Sequence, residues 1–146
     1  MSGWRVLAVG SPFGADAVGL EAGRLLAAGP LPAGVEVRCL DRPGAALVAH
    51  LEGAEAVLVL DAVAGRPPGA VVRLGRGELL RRSRPASTHA LGVAEALALA
   101  EALGLLPPRL WLLGMGIGDG GAALPEAAAR RLAEAARVLL GAAPPP

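Results

Sequence analysis

Apolar positions along the chain fall into short strand-like runs separated by helix-like patterns. Residues 5–9 form an apolar run that stops at Gly10, which predicts a strand buried on both faces. A Gly/Pro loop covers 10–15. From about residue 16, Val18, Leu20, Leu25 and Leu26 recur among alanines and charges, which predicts a helix ended by the Gly/Pro cluster at 29–34. Residues 35–40 alternate cleanly and read as the second strand. Residues 43–51 read as a short helix with Pro43 near its first turn, where the missing N–H costs little. Residues 56–60 are a third, fully apolar strand that ends at Asp61.

A tight Gly/Pro turn at 65–69 leads to a fourth strand at 70–74. The connection is too short for a crossover helix, so strands three and four are expected to be antiparallel, with the fourth near an edge. Residues 81–85 read as a polar loop. Beyond Ser87 and Thr88 a long Ala/Leu/Glu helix is expected to about Leu103, closed by Gly104 and the Pro107-Pro108 pair. A fifth strand at 110–113, a glycine loop at 114–121 and a final helix at 125–140 complete the pattern, with 141–146 expected to fray. Buried strands alternating with helices predict one α/β domain over 1–146. The expected architecture is a three-layer α/β/α sandwich, with helices on both faces of a mostly parallel, twisted five-stranded sheet. In such sheets the site lies outside the carboxyl ends of the strands, near a topological switch point.

Composition narrows the chemistry. With 14 basic and 13 acidic side chains in 146 residues the net charge is +1, which offers no field for nucleic acid or an anionic membrane. Every cation is arginine, and the chain has no Lys, Asn, Gln or Tyr. Phosphate-loop lysines, Schiff bases and Ser–Lys dyads are thereby excluded. The lack of thermolabile amides fits a heat-adapted source. The single cysteine, Cys39, excludes a disulfide framework and a cysteine-rich zinc site, and its place after Val35 and Val37 predicts a small buried apolar side chain. Mean hydropathy is +0.51, yet no charge-free run reaches the roughly 18–20 residues of a spanning helix. The first residues enter a strand without a secretory leader pattern, so the expected compartment is the cytoplasm.

Asp16 follows the first strand, Asp61 ends the third, and His89 stands at the start of the long helix. Two carboxylates and an imidazole are the residue types of a metal site or of an acid–base set, and only the fold can unite them. Plain structural roles stay open beside these. Asp16 can cap the first helix. Asp61 can brace its own turn, although a carboxylate directly after an apolar strand needs a partner there. His89 can be a half-exposed helix-start residue, and a helix N-terminus favours the neutral imidazole that binds metal. His50, beside Leu47, Val48 and Leu51, reads as partly buried packing. The glycines at Gly10, Gly14 and Gly19 miss the G-x-G-x-x-G spacing of dinucleotide binding, in which Asp41 would be the ribose acid. No Gly-x-Ser-x-Gly elbow is present.

Three segments carry a likeness: Val6 through Gly19, Val57-Leu58-Val59-Leu60-Asp61-Ala62-Val63, and Ser87-Thr88-His89-Ala90-Leu91-Gly92. From Val6 to about Leu140 the chain resembles the hydrogenase maturation proteases, endopeptidases that trim the large subunit of nickel–iron hydrogenases. That family's first segment reads G-N-x-L-x-x-D-[DE]-x-x-G, and Asp16 falls on its second acid, before Gly19. The family's strand-end aspartate matches Asp61, and its histidine, in S-x-H-x-x-G, matches His89. The resemblance implies a five-stranded twisted sheet and a nickel-dependent endopeptidase. It implies that Asp16, Asp61 and His89 recognise the nickel already held by a hydrogenase large-subunit precursor, whose C-terminal tail is then cut off. It further implies a monomer. The chain departs from the pattern at Ser11, where Asn is usual, and at Ala15, in place of the first acid. The loop is also one residue short, and Asp41-Arg42-Pro43-Gly44 replaces the frequent D-G-G-T. A relative that binds metal and precursor without cutting stays open as an alternative, with a small nucleotide-binding α/β domain further behind.

Overall fold

The structure, a computed structural model, describes residues 3–82 and 92–142. The elements are β1 (Trp4–Gly10), α1 (Val18–Ala28), β2 (Glu36–Asp41), α2 (Leu47–Leu51), β3 (Ala56–Ala64), β4 (Val71–Gly75), α3 (Arg76–Arg82), α4 (Val93–Ala102), β5 (Arg109–Gly118) and α5 (Glu126–Gly141). Short 3-10 turns at Gly14–Ala17 and Gly44–Ala46 lead into α1 and α2. The sheet order is β2-β1-β3-β5-β4. The pairs β1–β2, β1–β3 and β3–β5 are parallel, and β4 joins β5 antiparallel.

The two-residue period of the strands divides the core between the two faces. Val6, Ala8, Leu58, Leu60, Leu113 and Met115 meet α1 and α5 through Val18, Ala22, Leu26, Leu132 and Ala136. Leu7, Val9, Val57, Val59, Leu110 and Leu112 meet α2, α3 and α4 through Leu47, Leu51, Leu79, Ala96 and Leu97. The central strands are covered on both sides, which is why they read as unbroken apolar runs. The three-layer sandwich expected from the sequence is the architecture found. Among the described residues no helix is long and apolar enough to cross a membrane.

Several local expectations need correction. Strand β4 is antiparallel and at an edge, but it pairs with β5 and not with β3. Its connection from β3 passes over the end of β5, where Gly65 and Gly69 donate to the carbonyls of Gly118 and Gly116 at 2.8 and 2.9 Å. The expected glycine loop after the fifth strand is largely more strand, because β5 runs to Gly118. A Cβ at Gly116 would collide with the Pro67 carbonyl oxygen, so this stretch is glycine to let the connection lie against it. Strand β3 also continues past Asp61 to Ala64. Arg81 and Arg82 close helix α3 and do not begin a loop; with seven residues and an internal Gly77, α3 is too short to show a period. Gly141 belongs to α5 and not to a frayed tail. Cys39 is exposed, because β2 is the other edge strand. The expected loop at 83–85, the first part of the long helix and the tail at 143–146 lie outside the described residues.

The chain leaves β1 toward β2 on one side, while β3 and β5 build the sheet on the other. The carboxyl ends of β1 and β3 therefore flank a topological switch point, where connections diverge and leave a crevice. Helix α1 closes down on that spot. Buried Gly19 lies so close that a Cβ would collide with the Val9 carbonyl oxygen and stand 3.0 Å from that of Leu60. The same substitution should thus have opposite signs at two helical glycines. Gly19→Ala is expected to cost about 1–3 kcal/mol in denaturant unfolding, by overpacking against backbone that cannot yield. Gly141→Ala, where a new Cβ meets nothing within 4 Å, should be neutral or stabilising by up to about 1 kcal/mol.

Candidate active site

A cleft of about 210 Å³ opens at the switch point, lined by Val9, Gly10, Asp16, Arg42, Asp61 and Val93 among others. The 3-10 turn after β1 carries Asp16 to its rim. Ser11 donates its N–H to the Asp16 carbonyl at 3.4 Å, and Ala15 donates to the Gly121 carbonyl at 3.0 Å, so the turn is tied to the residue after β1 and to the loop after β5. Asp16 is exposed, and its side chain caps neither this turn nor α1. The helix-capping role left open by the sequence is not the one it plays.

Asp61 stands on β3 immediately after Leu60 and is partly buried. Its Oδ1 accepts the Ala62 N–H at 2.8 Å, within the strand and not across a turn. That bond does not offset the loss of water. Desolvation, with a smaller push from the negative charge of Asp16 and against the lowering effect of the Ala62 N–H, raises the Asp61 pKa to about 7. The two carboxylates therefore sense each other across one cleft. Among the described residues no third His, Cys, Asp or Glu completes a metal-binding group with them. His89 lies outside the described residues. Gly92, three positions later in the chain, lines the same cleft.

One wall is the segment after β2. Arg42 donates its backbone N–H to the Gly10 carbonyl at 2.8 Å, tying the ends of β2 and β1 together. Its guanidinium grips Asp41, with Nε 2.7 Å from Oδ1 and Nη2 3.3 Å from Oδ2. This bond and charge pairing with Asp41, with Asp16 adding at longer range, raise the Arg42 pKa against the small effect of desolvation. The opposite wall is the start of α4, where Gly92 donates to Oε1 of Glu95 at 2.8 Å. Of the sequence-predicted residues, the fold brings Asp16 and Asp61 together. His50 packs elsewhere, partly buried, its Nδ1 3.1 Å from Nη1 of Arg38. In the sequence Arg42 stands out only as part of Asp41-Arg42-Pro43-Gly44, where the family pattern has D-G-G-T; its backbone conformation and its place on the cleft come from the structure. A crevice this small, edged by two carboxylates, suits a cation and an extended peptide better than a dinucleotide with its phosphates.

A family model described as hydrogenase maturation protease (HycI) matches residues 42–142, a span that includes Asp61 and His89. No curated protein sequence matches the chain. Among solved structures, the hydrogenase maturating endopeptidase HybD from E. coli superposes with a TM-score of 0.80 at 23% identity, covering 98% of this chain and 94% of that one. The [NiFe] hydrogenase maturation protease HybD from Thermococcus kodakarensis gives 0.70 at 26% identity, covering 96% and 99%. The hydrogenase 2 maturation peptidase from Thaumarchaeota archaeon SCGC_AB-539-E09 gives 0.66 at 26%, covering 94% and 97%.

The raised pKa of Asp61 fixes the sign of a stability effect. Between its ordinary value of 3.8 and about 7, the folded chain holds a proton that the unfolded chain has lost. Asp61 should therefore lower stability progressively as pH rises through that window, by at most about 1.4 kcal/mol per pH unit, and by a constant amount above it. Asp61→Asn is expected to unfold at higher urea than wild type at pH 8, with a smaller gap at pH 5. Equal gaps at the two pH values would contradict the desolvation of this carboxylate.

Proposed function

Because the chain belongs to the hydrogenase maturation protease family, we propose that its cleft removes the C-terminal tail of a nickel–iron hydrogenase large-subunit precursor, with Asp16, Asp61 and His89 recognising the precursor's nickel. The observation that carries this reading is the convergence of Asp16 and Asp61 on one cleft, where Asp61 is desolvated and no cation among the described residues pairs with it. Such a carboxylate is costly to the fold and gains most from a cation delivered by a partner.

The donor set fits the metal. Two carboxylates with a neutral imidazole make a mixed N/O set of the kind divalent nickel accepts. Nickel seated there supplies a Lewis acid for the scissile carbonyl or for a water beside it. The chain's own residues do the rest. Asp61, with a pKa near neutral, gives up its proton when a cation binds, so recognition of a loaded precursor is coupled to deprotonation. Asp16, at the rim, is exposed, and its side chain is not engaged in capping the 3-10 turn or α1. Gly10 at the end of β1 and the Arg42–Gly44 segment after β2 line the crevice beside the two carboxylates. The expected partner is the precursor itself, the expected state a monomer and the expected compartment the cytoplasm.

Tail release is read directly as a mass loss from a nickel-loaded precursor. Asp16→Asn, Asp61→Asn and His89→Ala should each lower the processing rate by about a thousandfold or more while the chain stays folded, since removing one member of a concerted set loses most of its effect. An active His89→Ala variant would remove that residue from the set. The processing rate should rise with pH up to about 7, where Asp61 loses its proton, and flatten above.

A further inference from the structure

We propose that Arg42, laid over Phe13, positions the peptide of the precursor in the cleft by donating to one of its main-chain carbonyl oxygens. The inference rests on the protease function proposed above. Arg42 has φ 44° and is the only non-glycine residue with positive φ among the described residues. Glycine adopts that backbone freely, whereas a larger side chain is strained in it, and such strain persists mainly where a site makes use of it. The surroundings hold the strained form in place. Arg42 N–H bonds the end of β1, and Asp41 takes the Nε and Nη2 edge of the guanidinium.

The guanidinium carbon lies 5.6 Å from the centre of the Phe13 ring. Phe13 is the chain's single phenylalanine, and it is 68% exposed. A protein with so few aromatic side chains has placed one on the surface, beside the crevice, where it packs no core. Together the two side chains form a flat shelf, apolar beneath and with the Nη1 donors of Arg42 unused within the protein among the described residues.

Charge selects what the shelf takes. Arg42 is the sole cation among the described residues that line the cleft, and Asp41 already neutralises it. A carboxylate on the precursor would face Asp16, Asp41 and Asp61 at once. A peptide carbonyl carries no such penalty, and the flat amide beside it stacks on Phe13 while its oxygen accepts from Nη1.

The test compares wild type with Arg42→Gly, Arg42→Lys and Phe13→Ala in cleavage of the nickel-loaded large-subunit precursor of the same organism. Glycine suits the backbone at 42, so Arg42→Gly should keep its circular dichroism melt. Its KM should rise about tenfold or more, the effect of one charged hydrogen bond, with kcat within about twofold. Arg42→Lys should recover part of the loss, and Phe13→Ala should raise KM several-fold. An unchanged KM in Arg42→Gly, or a loss confined to kcat, overturns the inference while leaving the protease function standing. If wild type leaves the precursor whole, the proposed function itself fails. The same variants are then titrated for precursor binding, where equal affinity of Arg42→Gly and wild type overturns the inference as well.

Discussion

The close approach of α1 to the carboxyl ends of β1 and β3 is the contact on which the site depends. Gly19 brings the helix backbone against the carbonyls of Val9 and Leu60 with no side chain between them. Nothing larger fits, so the 3-10 turn that precedes α1 has only one place to go. It runs along the rim of the crevice at the topological switch, tied by backbone bonds to Ser11 and to Gly121. Asp16 is thereby delivered to the cleft whose floor carries Asp61.

The cleft itself works against stability in two ways. Asp61 sits in a strand whose preceding residues are fully buried, and it loses its water without pairing with a cation among the described residues. Arg42 holds a backbone conformation that favours glycine. Core formation explains neither feature. The proposed function accounts for both: a precursor would bring a cation to the carboxylates and a peptide to the guanidinium. Destabilised groups fixed by a rigid frame are a usual mark of a binding or catalytic centre. Here the frame is a sheet packed on both faces by small and aliphatic side chains, which leaves little room for the crevice to relax.

The parts legible in the sequence were those with a local cause. Five apolar or alternating runs announced five strands, since burial on two faces or on one imposes each pattern directly. Asp16 and Asp61 stood out by their places after β1 and at the end of the third apolar run, although helix capping and turn bracing stayed open for them in the sequence. Other features had non-local causes. Val35, Val37 and Cys39 share a face, but their alternation does not say that β2 is an edge strand, and so Cys39 is exposed and not buried. Gly114 to Gly118 looks like a loop until the β3–β4 connection is laid across it. Arg42 shows in the sequence only as a departure from D-G-G-T; its positive φ belongs to the place where the ends of β1 and β2 are tied together.

By itself the sequence determined the layer architecture, the absence of lysine-based and disulfide chemistry, and the carboxylates and imidazole from which a metal site or an acid–base set can be drawn. These depend on periodicity and inventory, which every segment carries within itself. Only the tertiary structure decided that β5 inserts between β3 and β4, that Asp16 and Asp61 share one cleft, that burial raises the Asp61 pKa to about 7, and that Arg42 is strained. Each of those is set by what packs around a residue from distant parts of the chain: desolvation, register and backbone strain are properties of neighbours in space, and a residue's neighbours in sequence do not specify them.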